Sequence, residues 1–190
     1  ACLVERHGVD ATQVGPRGLT PLAYAVFGGH TRVVRQLVER HGAVPTATFG
    51  NQHRTALHTA ALTRFPHIVD ELVRCVRAAA AAADDNDDER GVDDEHADPV
   101  ACVRTFVNAS DLGGMSALYY ALRADTAAAL LRHGADAAPA GGTPLTPLQT
   151  VVFSAGREPI YDAHAARVIR LLAERGASLR VRYGRHTLLD

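Results

Sequence analysis

One short pattern recurs along the chain and constrains its fold more than any other feature: a Thr or Ser followed two positions later by Leu. A Thr or Ser hydroxyl can cap the free backbone N–H groups at the start of a helix, and Pro, which follows two of the caps, suits the first helical position. The pattern therefore predicts a helix start in each of several similar units. Its five copies are Thr20-Pro21-Leu22, Thr55-Ala56-Leu57, Ser116-Ala117-Leu118, Thr146-Pro147-Leu148 and Thr187-Leu188-Leu189.

A second segment with apolar residues at helical spacing follows each of the first four starts. The spacing predicts one buried face per helix, formed by Val33, Val34, Leu37 and Val38 in one segment and by Ile68, Val69, Leu72 and Val73 in the next. A left-handed glycine is expected after three of these helices, at Gly42, Gly134 and Gly176, and after the tail of a preceding unit, at Gly8. We expect the core to rest on Leu22, Val34, Leu37, Leu57, Leu72, Leu118, Leu148 and Leu171.

Taken together, these motifs resemble the ankyrin repeat, whose period is about 33 residues. The resemblance rests on Thr20-Pro21-Leu22 with Ala25, Gly29-His30, Val33-Val34, Leu37-Val38 and Gly134-Ala135-Asp136. It implies an all-α fold, a helical solenoid of stacked helix-turn-helix units, because each repeat buries its apolar face only against its neighbours. It also implies that His30 and His58 make local hydrogen bonds.

The caps divide one domain, residues 1–190, into units of unequal length. Successive caps are 35, 61, 30 and 41 residues apart. We expect a partial unit at 1–14, complete units at about 15–49, 50–110, 111–140 and 141–182, and the start of a further unit at 183–190. The unit at 50–110 carries an insertion at about 78–104. Because the chain begins without Met and stops one cap into a further unit, we expect a fragment of a longer protein.

The insertion is strongly acidic. Residues 84–98 contain nine Asp or Glu and one Arg, a net charge of −8, and we expect residues 83–98 to form an exposed, mobile excursion with fast hydrogen exchange. Partner docking and shielding of the chain's own groove are the alternatives. Asp84, Asn86, Asp88 and Glu95 match ligand positions of a calcium-binding loop, but Glu89 stands where that loop needs Gly. We therefore expect no calcium site.

The sequence matches no catalytic motif, so we expect no catalytic residue and no cofactor. Cys75, His96 and Cys102 lack the paired spacing of a zinc site. Cys2, Cys75 and Cys102 are odd in number, which predicts free thiols in a reducing compartment, cytoplasmic or nuclear. The longest run of low polarity, residues 78–83, is too short to span a membrane. All 20 basic residues are Arg, which beside abundant Ala indicates codon bias rather than nucleic-acid binding.

The resemblance implies a monomeric, non-catalytic module that binds another protein through a concave face. In this family that face is made from the turns between repeats and from the first helix of each unit. The corresponding turn residues here are Arg17, Leu19, Gln52, Arg54, Leu112 and Met115. The helix residues, seven positions after each cap, are Phe27, Leu62, Arg123 and Phe153. The alternative is the substrate-recruiting arm of a larger enzyme, such as a ubiquitin ligase, kinase or hydrolase, with its catalytic part outside this chain.

Overall fold

The structure is a computed structural model that describes residues 13–15, 18–84, 98–138, 145–155, 159–178, 182–183 and 186–187. Helices dominate these residues: α1 Pro21–Phe27, α2 Thr31–His41, α3 Ala56–Leu62, α4 Pro66–Asp84, α5 Pro99–Val107, α6 Ala124–Arg132, α7 Pro147–Ala155 and α8 Pro159–Glu174. A 3₁₀ helix occupies Ala117–Tyr120, and two short antiparallel strands, β1 Arg182–Tyr183 and β2 His186–Thr187, pair near the carboxyl end.

In three units, capping hydrogen bonds form at the start of the first helix, as the recurring pattern predicts. The Thr20 hydroxyl accepts from the Ala23 N–H at 3.2 Å. Thr55 forms a reciprocal capping box with His58, and Thr146 forms one with Gln149, with distances of 2.6 and 3.3 Å. Each cap satisfies backbone donors that have no partner inside the helix.

The Ser116 cap is a correction to the sequence prediction. Its hydroxyl accepts no capping hydrogen bond from the described residues, because the segment after it is a four-residue 3₁₀ helix instead of an α-helix. The Ser116 carbonyl accepts from the Tyr119 N–H at 3.1 Å instead. Thr187 lies in β2, and residues 188–190, where its helix would begin, lie outside the described residues.

The helices pack in two rows. The inner row consists of α1, α3, the 3₁₀ helix and α7, and each member contacts the next. The outer row consists of α2, α4, α6 and α8, which also contact one another in this order. Inner and outer helices of one unit pack together as well, so the described units form the all-α solenoid expected from the sequence.

The core lies between the two rows. Seven of the eight expected core residues are buried, and Val34, Leu57 and Leu72 are fully enclosed. Leu171 is the exception, because α8 turns Val168 and Leu172 inward and leaves Leu171 at the flank of this face. Val33 is likewise 39% exposed, since one residue rotates a helix by about 100° away from the buried Val34.

Glycine ends three of the outer helices as predicted. Gly42, Gly134 and Gly176 have φ angles of 68°, 89° and 89°, the left-handed conformation that glycine adopts without a steric penalty. Gly8 lies outside the described residues.

The insertion contributes helix as well as loop. Helix α4 continues to Asp84, and α5 begins after Asp98, whose carboxylate accepts from the Val100 N–H at 2.9 Å. Helix α5 packs against α4. Residues 83 and 84 of the expected excursion at 83–98 belong to α4. Residues 85–97, which include Asn86, Asp88, Glu95 and His96, lie outside the described residues.

Candidate binding surface

Large side chains lie at or just after the carboxyl ends of the inner helices. Phe27, Leu62 and Phe153, each seven positions after its cap, are 48%, 48% and 50% exposed. Arg123, the equivalent residue of the unit between them, is partly exposed just after the 3₁₀ helix. Because the inner helices contact one another in order, these four residues follow one another across the solenoid. We call Phe27, Leu62, Arg123 and Phe153 the contact row.

Tyr24 extends this surface, and the sequence prediction missed it. Its side chain is 51% exposed. It lies three positions before Phe27 in α1, so the two rings share one helix face. The sequence did carry a signal for it, because Tyr24 is an aromatic residue between two alanines, about one helical turn before Phe27.

The turns between units are joined to one another by backbone hydrogen bonds. The Gly50 N–H donates to the Gly18 carbonyl at 2.9 Å, and the Leu112 N–H donates to the Gln52 carbonyl at 3.1 Å. Gln52 and Leu112 present their side chains to solvent, and Leu112 is 64% exposed. Gly18 has a φ of 69°, and a Cβ atom there would lie 3.1 Å from the Gly50 Cα. The turns therefore stack in a fixed register.

A polar cluster of Arg54, Asp111 and Tyr120 fastens two successive turns. The Arg54 guanidinium donates to the Tyr120 hydroxyl at 3.1 Å and lies 4.5 Å from the centre of the Tyr120 ring. The Tyr120 hydroxyl donates to Asp111 Oδ2 at 2.6 Å, and Arg54 Nε lies 3.6 Å from the same oxygen. Asp111 Oδ1 accepts from the N–H groups of Gly113 and Met115 at 2.8 and 3.1 Å.

These contacts keep Asp111 ionised inside the protein. Burial opposes its ionisation, but the hydrogen bonds from Tyr120, Met115 and Gly113 outweigh that effect and hold its pKa below the usual value. Burial, together with the bond to Asp111, raises the pKa of the Tyr120 hydroxyl. The cluster thus combines a carboxylate, a guanidinium and a neutral phenol.

His58 links the cap of its own helix to the next turn. The local hydrogen bond expected of it is made with Thr55. Its Nδ1 lies 3.2 Å from the Thr55 backbone nitrogen, which can only donate, so Nε2 carries the ring proton and donates to the Met115 carbonyl at 3.0 Å. Burial lowers the pKa of His58, which favours this neutral form. His30, at the start of α2, is exposed.

The expected contact residues therefore occupy different environments. Phe27, Leu62, Gln52, Leu112 and Phe153 are exposed. Leu19 is partly buried against the core, Met115 is partly buried, and Arg54 is engaged with Asp111 and Tyr120. Arg17 lies outside the described residues.

Ion pairs join the outer helices. The buried Glu71 carboxylate accepts from Arg35 at 2.7 and 3.0 Å and from Arg74 at 2.7 Å, and Arg74 also donates to Glu39 at 2.8 Å. The hydrogen bonds from Arg35 and then Arg74 lower the pKa of Glu71 to about 2. This cluster connects α2 to α4.

A groove lies between α4 and α5, at the insertion. The groove, about 1110 Å³ in volume, is bounded by residues 44–46, by Val76, Ala79 and Ala80 of α4, and by α5. Its wall includes the partly buried Cys102, whereas Cys75 is buried and has a raised pKa because of that burial. Both are free thiols. Within the described ranges, no group of three His, Cys, Asp or Glu could hold a metal ion.

Comparison with known proteins agrees with this architecture. Residues 1–86 match the family model described as ankyrin repeats, 3 copies. The comparison with curated protein sequences gives no match. Among the helices of the described residues, none is long and apolar enough to cross a membrane.

Proposed function

Because this chain is an ankyrin-repeat protein, we propose that it binds another protein through the contact row and the adjoining turns. Ankyrin repeats are generally protein–protein interaction modules and are typically not catalytic. We further propose that the chain acts as a monomeric recognition module without chemistry of its own. The free thiols Cys75 and Cys102 are compatible with a reducing, intracellular compartment.

One observation carries the proposal. Three large apolar side chains, Phe27, Leu62 and Phe153, stand half exposed at equivalent positions of helices that belong to one packed row. Grouped apolar side chains on a protein surface are typical of interaction sites, and such residues supply the anchors that dominate binding energy.

The stacked turns support the same surface. Hydrogen bonds between successive turns and the cluster around Asp111 hold Gln52 and Leu112 in fixed positions beside the inner helices. A surface that is ordered before binding loses less conformational entropy when a partner docks. Arg54 contributes to this order through its contacts with Tyr120 and Asp111.

Affinity capture with two matched variants tests the proposal. The first variant, F27A/L62A/F153A, truncates the apolar members of the contact row. The control, V33A/V44A/V100A, truncates three exposed apolar side chains outside it. The first variant should capture at least tenfold less of the proteins that the wild type and the control both capture. One anchor contributes on the order of 2 kcal/mol of binding energy.

Circular dichroism should show that both variants keep the helical content and melting behaviour of the wild type. If the first variant captured the same proteins in the same amounts as the control, the contact row would not be the binding surface. If the control alone lost them, the groove beside α5 would be the better candidate.

A further inference from the structure

Charge is distributed unequally between the two rows of the solenoid. The inner helices and their turns fall within residues 18–30, 49–65, 109–123 and 145–155, and the only acidic residue in these ranges is the buried Asp111. The outer helices carry exposed carboxylates, among them Glu39 and Asp125. The inner surface is therefore apolar and cationic.

Two of the three arginines in these ranges have no carboxylate partner among the described residues. Arg54 is paired with Asp111, but the exposed Arg64 and the partly exposed Arg123 form no ion pair with any described residue. Arg123 belongs to the contact row, and Arg64 follows Leu62 by two positions. Both charges thus lie at the same end of the inner helices as Phe27, Leu62 and Phe153.

From this placement we propose that the contact row binds an acidic segment of a partner protein, with apolar side chains on Phe27, Leu62 and Phe153 and carboxylates facing Arg64 and Arg123. The inference rests on the proposed function and adds the chemistry of the partner. Complementary charge raises the rate of association and discriminates against partners of the wrong sign. A basic segment would place like charges against the two arginines. The four ranges named above contain no exposed acidic residue that could attract it.

The length of the segment follows from helix packing. Neighbouring helices lie about 8–10 Å apart, so three steps along the contact row span roughly 24–30 Å. An extended chain covers that distance with about 7–9 residues at about 3.3 Å per residue. A helix needs about 16–20 residues at about 1.5 Å per residue. A peptide of twenty residues is long enough in either conformation.

The test is selection of a random library of displayed twenty-residue peptides on the full chain. We expect the enriched peptides to combine an excess of Asp and Glu with aromatic or branched apolar residues. Binding of a synthetic enriched peptide should weaken with rising salt, and R64S/R123S should weaken it by about two- to tenfold at low salt and flatten the salt dependence. The control R77S/R104S removes two exposed arginines of α4 and α5 and should change neither.

Each other outcome has a distinct meaning. Enriched peptides that are neutral or basic, yet lose binding with F27A/L62A/F153A, would overturn the acidic partner and leave the proposed function in place. A library that yields no peptide dependent on Phe27, Leu62 and Phe153 would count against both. Binding of a twenty-nucleotide single strand that requires Arg64 and Arg123, in place of peptide binding, would assign the cationic surface to nucleic acid and refute the proposal.

Discussion

Replacing Glu71 by Gln should destabilise the protein in a pH-dependent way. The side chain keeps its size, but Arg35 and Arg74 lose the carboxylate that accepts their hydrogen bonds at 2.7 to 3.0 Å. Glu71 has a pKa of about 2 in the folded protein against an ordinary value of 4.5. Since one pKa unit corresponds to about 1.4 kcal/mol, this shift is equivalent to about 3.4 kcal/mol.

That value is an upper limit for the expected effect. The Arg35 and Arg74 side chains are nearly half exposed, so water screens their attraction for the carboxylate. We therefore expect the free energy of unfolding to fall by about 1–3 kcal/mol at pH 7. A carboxylate with a lowered pKa stabilises the folded state above pH 4.5 and loses this contribution as the pH falls from 4.5 towards 2. At pH 3.5 the difference between wild type and variant should shrink to about three fifths of its value at pH 7.

Urea unfolding followed by circular dichroism at the two pH values measures this difference. The matched control is Glu39→Gln, which removes a half-exposed partner of the same Arg74 and should cost less than about 1 kcal/mol. If Glu71→Gln and Glu39→Gln destabilised the protein equally, burial of the carboxylate would not govern the energy of the cluster. A Glu71→Gln difference that stayed the same at pH 7 and pH 3.5 would refute the lowered pKa.

Three further predictions concern the core, the turns and the thiols. Leu57→Ala should lower the free energy of unfolding by about 2–5 kcal/mol in urea denaturation, whereas Leu62→Ala in the same helix should lower it by less than about 1 kcal/mol, because only Leu57 is enclosed; equal losses would mean that Leu62 belongs to the core. Tyr120→Phe should cost about 1.5–3 kcal/mol in the same measurement, since its hydroxyl donates to an ionised carboxylate at 2.6 Å, and an unchanged midpoint would show that the cluster does not hold the turns. In a chain with Cys2 replaced by Ser, iodoacetamide should alkylate Cys102, in the wall of the groove, well before Cys75, which is buried and has a raised pKa; mass spectrometry of peptides would reveal the opposite order.

Some features of the binding surface could be predicted from the chain and others could not. Phe27, Leu62 and Phe153 are exposed where the repeat places contact residues, and their binding to a partner stays a prediction. Arg54, expected from its turn position to be a contact residue, is held by Tyr120, a hydrogen-bond partner 66 residues away along the chain, and its contact with a partner stays a prediction. Repeat position alone could not identify this pairing, because it depends on which residue the next turn carries.

The sequence by itself determined the local elements. Thr20 and Thr146 cap their helices, and Gly42 ends one, through groups no more than six residues apart. Such features depend on backbone geometry and hydrogen bonds within a single segment, so residue types at fixed spacings predict them. The same reasoning was wrong for Ser116, because its segment forms a 3₁₀ helix against its neighbours.

Only the tertiary structure decided which side chains share a surface or a core. Packing against the neighbouring helices turned Leu172 inward and left Leu171 at the flank, although both are leucines in one apolar segment. Arg35 meets Glu71 across 36 residues, and His58 meets the Met115 carbonyl across 57. These contacts cross from one unit to the next, and a side chain gains them only when the neighbouring repeat brings a complementary group within about 3 Å.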